Sequence, residues 1–170
     1  MTEHGTGTLE DQLGDAIDKL SRAKSLDQVM RIVRQSARAL TGADGTTFVL
    51  LDGDRCFYAD EDAIAPLWKG KRFSSDACVS GWVMRNRQNA VIRDVFADPR
   101  ISAPIYRPTF VKSMAMVPVR DADPIAAIGA YWADVHEATD DEMRVLQVLA
   151  DASALALSRT GYAQAELRGR

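Results

Sequence analysis

Cysteine and histidine are scarce in this chain: Cys56 and Cys78 carry the only thiols, and His4 and His136 the only imidazoles. Neither pair has the close spacing of a metal-ligand motif, so no structural metal is expected. An excess of positive charge is also missing. Against 21 Lys and Arg stand 24 Asp and Glu, a formal net charge of -3. A phosphate backbone requires the opposite balance, and nucleic acid is not an expected partner. No apolar run approaches the length of a membrane span, and the opening MTEHGTGTLED is polar and acidic where a signal peptide is basic and then apolar. These absences predict a cytoplasmic protein with reduced thiols and no membrane association. Phosphate-cradling glycine loops and kinase motifs are missing as well.

What is present fits one domain of ordinary size, large enough at 170 residues to bury a core without disulfides. Residues 1–8 have no period and are expected to be a disordered tail. Leu9, Leu13, Ala16, Leu20 and Ala23 draw a narrow apolar stripe along a helix. Ser25 with Gln28 has the pattern of a capping box, opening a second helix that stops at Gly42. TTFVLLDGDRCFYAD, from Thr46, reads as a β-hairpin turning at Asp52 to Asp54, with Cys56 on its second strand. Between Asp62 and Ser75 the signals are mixed and predict a loop. Ser75 or Asp76 is the expected cap of a helix that turns Cys78 and Trp82 inward and ends near Arg87.

NAVIR, Asn89 to Arg93, gives a short strand, and Asp94 to Pro108, with three prolines, a long irregular excursion of the kind that often carries function. SMAMVPVR and PIAAIGAYWAD follow as strands joined by a turn at Asp121 to Pro124. Thr139 with Glu142 forms another capping box, starting a helix that reaches at least Ser158. Hairpins at both ends with helices between them define an α+β fold on an antiparallel sheet.

The ordered set ACVSGWVM, VIRDVFADPRI, YRPTFVKSMAMVPVR and PIAAIGAYWA resembles the GAF domain, in particular the GAF domains of bacterial sensor proteins that accompany histidine-kinase modules. The resemblance spans Ser25 to Ser158. It implies a six-stranded antiparallel sheet with helices on one face and, on the other, a ligand pocket roofed by the long loop; the sixth strand is expected around Leu67 to Phe73.

The family includes photoreceptors, cyclic-nucleotide sensors, enzymes and dimerisation modules, so the site has to choose among them. The region where bilin-binding members carry their thioether cysteine is ISAPIYRPTF here, without Cys or His. Asp76-Ala77-Cys78-Val79 resembles a second bilin-attachment motif but lacks its phenylalanine, and Asp54-Arg55-Cys56-Phe57 fits that motif on a hairpin strand where the family does not have it. The cysteine-rich motif of the free-methionine sulfoxide reductases and the Asn-Lys-Phe-Asp-Glu signature of cyclic-nucleotide binders are both missing. The reading favoured is therefore a non-enzymatic regulatory domain in which Cys78 is a wall residue. A bilin photoreceptor attached through Cys78 is the alternative, and a thiol reductase a third reading. No cofactor is required by the sequence.

Cys78, Trp82, Arg93, Asp94, Asp98, Tyr106, Phe110, Met114, Met116 and Tyr131 are the expected pocket residues, an apolar lining with polar closure. Plain core is the competing reading for the methionines and aromatics. Strand alternation puts Met114 and Met116 on one face and allows only one of Tyr131 and Trp132 to join them. Leu146, Leu149, Ser153, Ala156 and Thr160 form a second narrow seam. Together with Leu9, Leu13 and Leu20 they are expected to form a homodimer interface, a parallel four-helix bundle of terminal helices, while Val145, Val148, Ala152 and Leu155 pack on the chain's own sheet. The domain is thus read as 9–160, with 161–170 the start of a signalling helix or a frayed tail leading toward an output domain such as a histidine kinase.

Overall fold

The computed structural model describes residues 7–120 and 122–162. Of the segment expected to be a signalling helix or tail, residues 163–170 lie outside the described residues, as do 1–6 of the N-terminal tail. The elements in chain order are α1 (Leu9–Arg22), α2 (Leu26–Thr41), β1 (Gly45–Asp52), β2 (Arg55–Ala63), β3 (Arg72–Ser74), α3 (Val79–Asn86), β4 (Ala90–Ile92), α4 (Ala103–Tyr106), β5 (Ser113–Val119), β6 (Ala126–Trp132) and α5 (Asp140–Arg159). The strands form one antiparallel sheet in the order β3-β2-β1-β6-β5-β4. This is the α+β architecture expected.

Capping sets the helix starts. Thr8 belongs to α1 rather than to the tail: its hydroxyl accepts from the Asp11 N–H at 3.2 Å and its own N–H donates to the Asp11 carboxylate at 3.3 Å. Ser25 and Thr139 cap α2 and α5, and Gly42, at φ 68°, closes α2 in the left-handed conformation. α3 starts later than expected. Its N-cap is Cys78, with no side-chain cap hydrogen bond, while Asp76 is exposed and paired with Arg85 at 3.0 Å. The sixth strand is also shorter than expected, because Leu67, Trp68 and Lys69 spend their N–H groups on the carboxylate of Glu61 and leave only Arg72 to Ser74 to pair with β2.

Pleating divides the sheet into two faces, each with its own core. Phe48, Leu50, Ala115, Val117, Ile128 and Trp132 meet α1, α2 and α5. Val49, Cys56, Tyr58, Met114, Met116 and Tyr131 point the other way, toward α3, β4 and the loops. A β-bulge between Phe48 and Val49 sets Phe48 opposite Asp60 and Val49 opposite Tyr58. Asp60 can then meet Arg34 of α2 at 2.8 Å while its neighbour Glu61 reaches the 67–69 loop.

The expected dimer seam is consumed inside the chain. Leu13, Leu20, Leu146, Leu149, Ser153 and Ala156 are fully buried in the helical core, Leu9 packs against it half-buried, and the half-buried Thr160 turns its hydroxyl back to the Leu157 carbonyl. The reason is that α1 lies alongside α5 in the same direction. Glu10 pairs with Arg144 at the leading ends, and at the trailing ends Arg159 donates to the carbonyls of Leu20 and Ala23 at 2.8 and 3.0 Å, the first of which also accepts the Ala23 N–H at 3.2 Å. The second row divides: Val145 is buried in the same core, Val148 and Ala152 pack against it half-buried, and Leu155 is turned outward at 72% exposure.

Candidate functional site

The face opposite the helices is organised around Trp68. Glu61 places it: one carboxylate oxygen accepts from Trp68 and Lys69 at 2.9 and 2.7 Å and the other from Leu67 at 2.9 Å. The segment folds back through Gly70, at φ 87°, where a side chain would be strained, and is tied to β2 by hydrogen bonds from Gly70 N to Tyr58 O and from Tyr58 N to Lys71 O. Trp68 is left 3% exposed, its ring edge-on to Tyr58, Tyr106 and Tyr131 at 5.4, 5.2 and 5.3 Å. Its indole N–H donates to the Ile105 carbonyl, joining the loop after β2 to the roof helix α4.

Tyr131 is seated by the absence of a side chain at Gly129, where a Cβ would stand 2.5 Å from the Tyr131 hydroxyl and 2.8 Å from Thr47 Oγ1. The hydroxyls of Tyr131 and Thr47 are hydrogen-bonded at 2.9 Å. Burial pushes the phenols of Tyr58, Tyr106 and Tyr131 well above their ordinary pKa, so all three stay neutral. Beside this cluster a groove of about 380 Å³ opens between Pro66, Trp68 and Phe73 on one side and Pro104, Ile105 and Pro108 on the other. Lys71 is the single ionisable side chain in its lining.

A second grouping lies at the start of α3. β2 carries Cys56, opposite Phe73 of β3, and the chain leaving β3 brings Cys78 to the head of the helix. The turn is tight: a Cβ on Gly81 would fall 1.9 Å from the Ser75 carbonyl oxygen, so only glycine allows α3 to begin against this backbone. Cys56 and Cys78 are 0% and 4% exposed and lie in the same buried cluster; Phe73 faces Cys56, and the carbonyl of the next residue, Ser74, stands 3.5 Å from Cys78 Sγ. Ser80 donates its hydroxyl to Cys78 Sγ at 3.2 Å and lies 3.2 Å from the Tyr58 hydroxyl; when protonated, Cys78 can donate to the Ser74 carbonyl at 3.5 Å. The neighbouring Cys56 thiol lowers the Cys78 pKa, aided by Ser80, the Gly81 N–H and the charge of Arg85 and opposed by burial. Cys56, as the partner that keeps its proton, is pushed far up by the same contact and by burial.

Of the expected pocket residues, Cys78, Tyr106, Met114, Met116 and Tyr131 converge in this core, and Trp82 and Phe110 pack half-buried at its edge. The polar closure does not converge. Arg93 is exposed, and Asp94 turns to the N–H of Phe96 at 3.0 Å. Asp98 forks onto Arg100, whose guanidinium stacks 4.6 Å above Trp82, and this pairing holds the Asp98 carboxyl below its usual range. Tyr58, Trp68, Thr47, Ser80 and Cys56 were not foreseen. Alternation along β2 puts Cys56 and Tyr58 on one face, a signal present in the sequence, whereas the placement of Trp68 depends on Glu61 and has none.

A sheet of this order, helices on one side and a roofed aromatic face on the other, defines an α+β domain of two unlike faces. The chain belongs to the GAF domain family, whose model matches residues 23–158. None of the curated proteins matches it. Among solved structures it is similar to the GAF domain of an Acinetobacter phosphoenolpyruvate-protein phosphotransferase, with 13% identity and a TM-score of 0.79 over 95% of this chain and 99% of that one. Similarity is equal, at a TM-score of 0.79, to the free methionine-R-sulfoxide reductase of Neisseria meningitidis in complex with its substrate, with 16% identity over 95% of this chain and 98% of that one. The phycocyanobilin-bound GAF domain of a cyanobacterial phytochrome follows at 0.74, with 17% identity over 92% and 97%. At such identities the likeness establishes the fold and not the chemistry. Among the described residues, no helix is long and apolar enough to cross a membrane.

Proposed function

We propose that this chain is a sensory, non-enzymatic GAF domain of a bacterial, cytoplasmic signal-transduction protein, and that it reads a small molecule in the groove beside Trp68. The observation that carries this reading is the position of Trp68. It borders the groove, fills the centre of the aromatic cluster, and is hydrogen-bonded to the roof through Ile105. A ligand that binds one arrangement of this tryptophan better than another shifts the equilibrium between them, which is the thermodynamic requirement for a signal. The lining selects an apolar molecule with one acidic group to meet Lys71.

Homodimerisation is part of the proposal, but not through the buried seam. The outward row of α5 around Leu155 and the 42% exposed Ile17 of α1 supply the apolar surface that such a contact needs. An output domain such as a histidine kinase would take its input from the terminal helices.

A bilin does not fit this face as it is packed. Trp68 holds the middle of the trench within 5.4 Å of three tyrosine rings, and Cys78 is occupied by Cys56 and Ser80. Native mass spectrometry of the protein purified from its own organism tests the sensory reading. Added mass that is lost on denaturation, and lost also in a Pro104→Trp variant that fills the groove, is the expected result; a bare polypeptide insensitive to small acids in thermal-shift assays would remove it.

A further inference from the structure

We propose that Cys56 and Cys78 form a hydroperoxide-reactive dithiol that closes to an intramolecular disulfide, making this domain a redox site independent of its groove. The two thiols of the chain are far apart in sequence, yet β2, β3 and the turn at Ser75–Gly81 bring them into one buried cluster: Cys56 pairs with Phe73, and the carbonyl of the next residue, Ser74, stands 3.5 Å from Cys78 Sγ. Their surroundings are unequal. Cys78 sits at the N-cap of α3, where the Ser80 hydroxyl donates to its sulfur at 3.2 Å and the nearby Gly81 N–H and the charge of Arg85 help to lower its pKa. Cys56 stands on a strand, fully buried, and its neighbour Cys78 together with that burial holds it in the protonated form. One sulfur is thus built to carry negative charge and the other to deliver a proton and then a second sulfur.

Ser80 has a further partner in Tyr58, 3.2 Å away, which can donate to the serine oxygen and leave the serine proton for Cys78. With 0% and 4% exposure, the pair excludes a protein or glutathione disulfide from attack in line with either sulfur. Hydrogen peroxide or a small alkyl hydroperoxide is compact enough to enter.

The chemistry balances with a single equivalent of peroxide. The Cys78 thiolate attacks one peroxide oxygen, the O–O bond breaks, and the departing hydroxide takes the Cys56 proton to leave as water. This gives a Cys78 sulfenic acid beside a Cys56 thiolate. The Cys56 thiolate then attacks the Cys78 sulfur, the S–O bond breaks, and the released hydroxide recovers from solvent the proton that Cys78 gave up. Two thiols are oxidised to a disulfide and one peroxide is reduced to two waters. The product ties β2 to the head of α3 and cancels the Ser80–Cys78 hydrogen bond.

The test uses the full chain, reduced with dithiothreitol, desalted and exposed to stoichiometric hydrogen peroxide at neutral pH. Intact mass should fall by two hydrogens, both cysteines should resist alkylation in denaturant, and a non-reduced digest should contain the Cys56 peptide joined to the Cys78 peptide. The folded chain should react about tenfold faster than the same chain in urea, since folding both prepares the thiolate and aligns the second thiol. Cys56→Ser should stop at a Cys78 sulfenic acid that dimedone traps. Because a serine in the core can unfold the chain, Cys56→Ala, which keeps the site apolar, gives a second measure. Peroxide treatment of the folded Cys56→Ala chain that leaves a Cys78 sulfenic acid, trapped by dimedone on denaturation, supports the pair. Slower oxidation in the folded than in the unfolded chain, or oxidation of Cys78 without a link to Cys56, would overturn the proposal. Neither readout involves the groove, so failure here leaves the sensory reading standing, and the reverse.

Discussion

The indole N–H of Trp68 donates to the backbone carbonyl of Ile105 across 3.1 Å, so a side chain from the β2–β3 loop is fastened to the roof helix α4. Trp68→Phe keeps most of the ring contacts and removes this bond, and should cost about 1 kcal/mol. Trp68→Ala should cost about 3–5 kcal/mol and leave a cavity between the three tyrosines. Urea unfolding followed by far-UV circular dichroism separates the two; equal losses would mean that the hydrogen bond rather than the ring holds the site.

Glu61 organises the loop before any ligand does. Its carboxylate accepts three N–H groups, and Glu61→Gln replaces an anionic acceptor by a neutral one that must turn an NH2 toward a donor. A loss of about 1.5–3 kcal/mol is expected, with a weaker near-UV aromatic signal as Trp68 loosens. Unchanged near-UV ellipticity would show that the loop is held by other contacts.

Two glycines should answer alanine in opposite ways. Gly81→Ala drives a methyl group into the Ser75 carbonyl and should destabilise by about 1–3 kcal/mol or more. Gly14, exposed on α1 with nothing within 4 Å of where an added methyl would stand, should gain about 0.8–1 kcal/mol from helix propensity alone. Thermal unfolding of both variants provides the comparison.

Leu149 and Leu155 lie on one helix with separate duties. Leu149→Ala should cost about 2–5 kcal/mol because the side chain is fully buried, and should leave the oligomeric state alone. Leu155→Glu should leave stability nearly unchanged and disrupt self-association. Analytical ultracentrifugation checks both; a dimer untouched by Leu155→Glu would place the contact elsewhere.

Cys78 should keep its charge to lower pH than an ordinary thiol, since its pKa is brought from 9.0 to about 6. The oxidation rate should therefore rise through about pH 6 and level off below the range where free thiols ionise. Stability is a poorer probe, because the signs oppose. Deprotonated Cys78 contributes stability above its ordinary pKa that is lost as pH falls through about 6, whereas Cys56, pushed upward, contributes stability at lower pH that is lost as pH rises. Thiolate absorbance in the ultraviolet isolates Cys78.

Much of the architecture was legible in the sequence because caps and alternation are local. Thr139–Glu142 and Ser25 mark helix starts, and the period of two along Met114 to Val117 assigns the faces of β5 without reference to any neighbour. The helix seams were legible as apolar stripes, but the identity of the partner surface was not. A stripe records that a face is covered, and the same spacing serves a second chain or, as here, α1 against α5. The contact of Cys56 with Cys78 and the capture of residues 67–69 by Glu61 depend on a bulge and a tight turn, which bring distant residues together with no periodic trace.

The ion pair between Glu10 and Arg144 and the grip of Arg159 on the end of α1 join α1 and α5 at both extremities. Two parallel rods fastened at each end resist shear and twist as a beam does, and neither can turn alone. Any motion that reaches α5 from the sheet meets α1 as well, so the two helices answer as a stiff double member rather than as a single pliant helix.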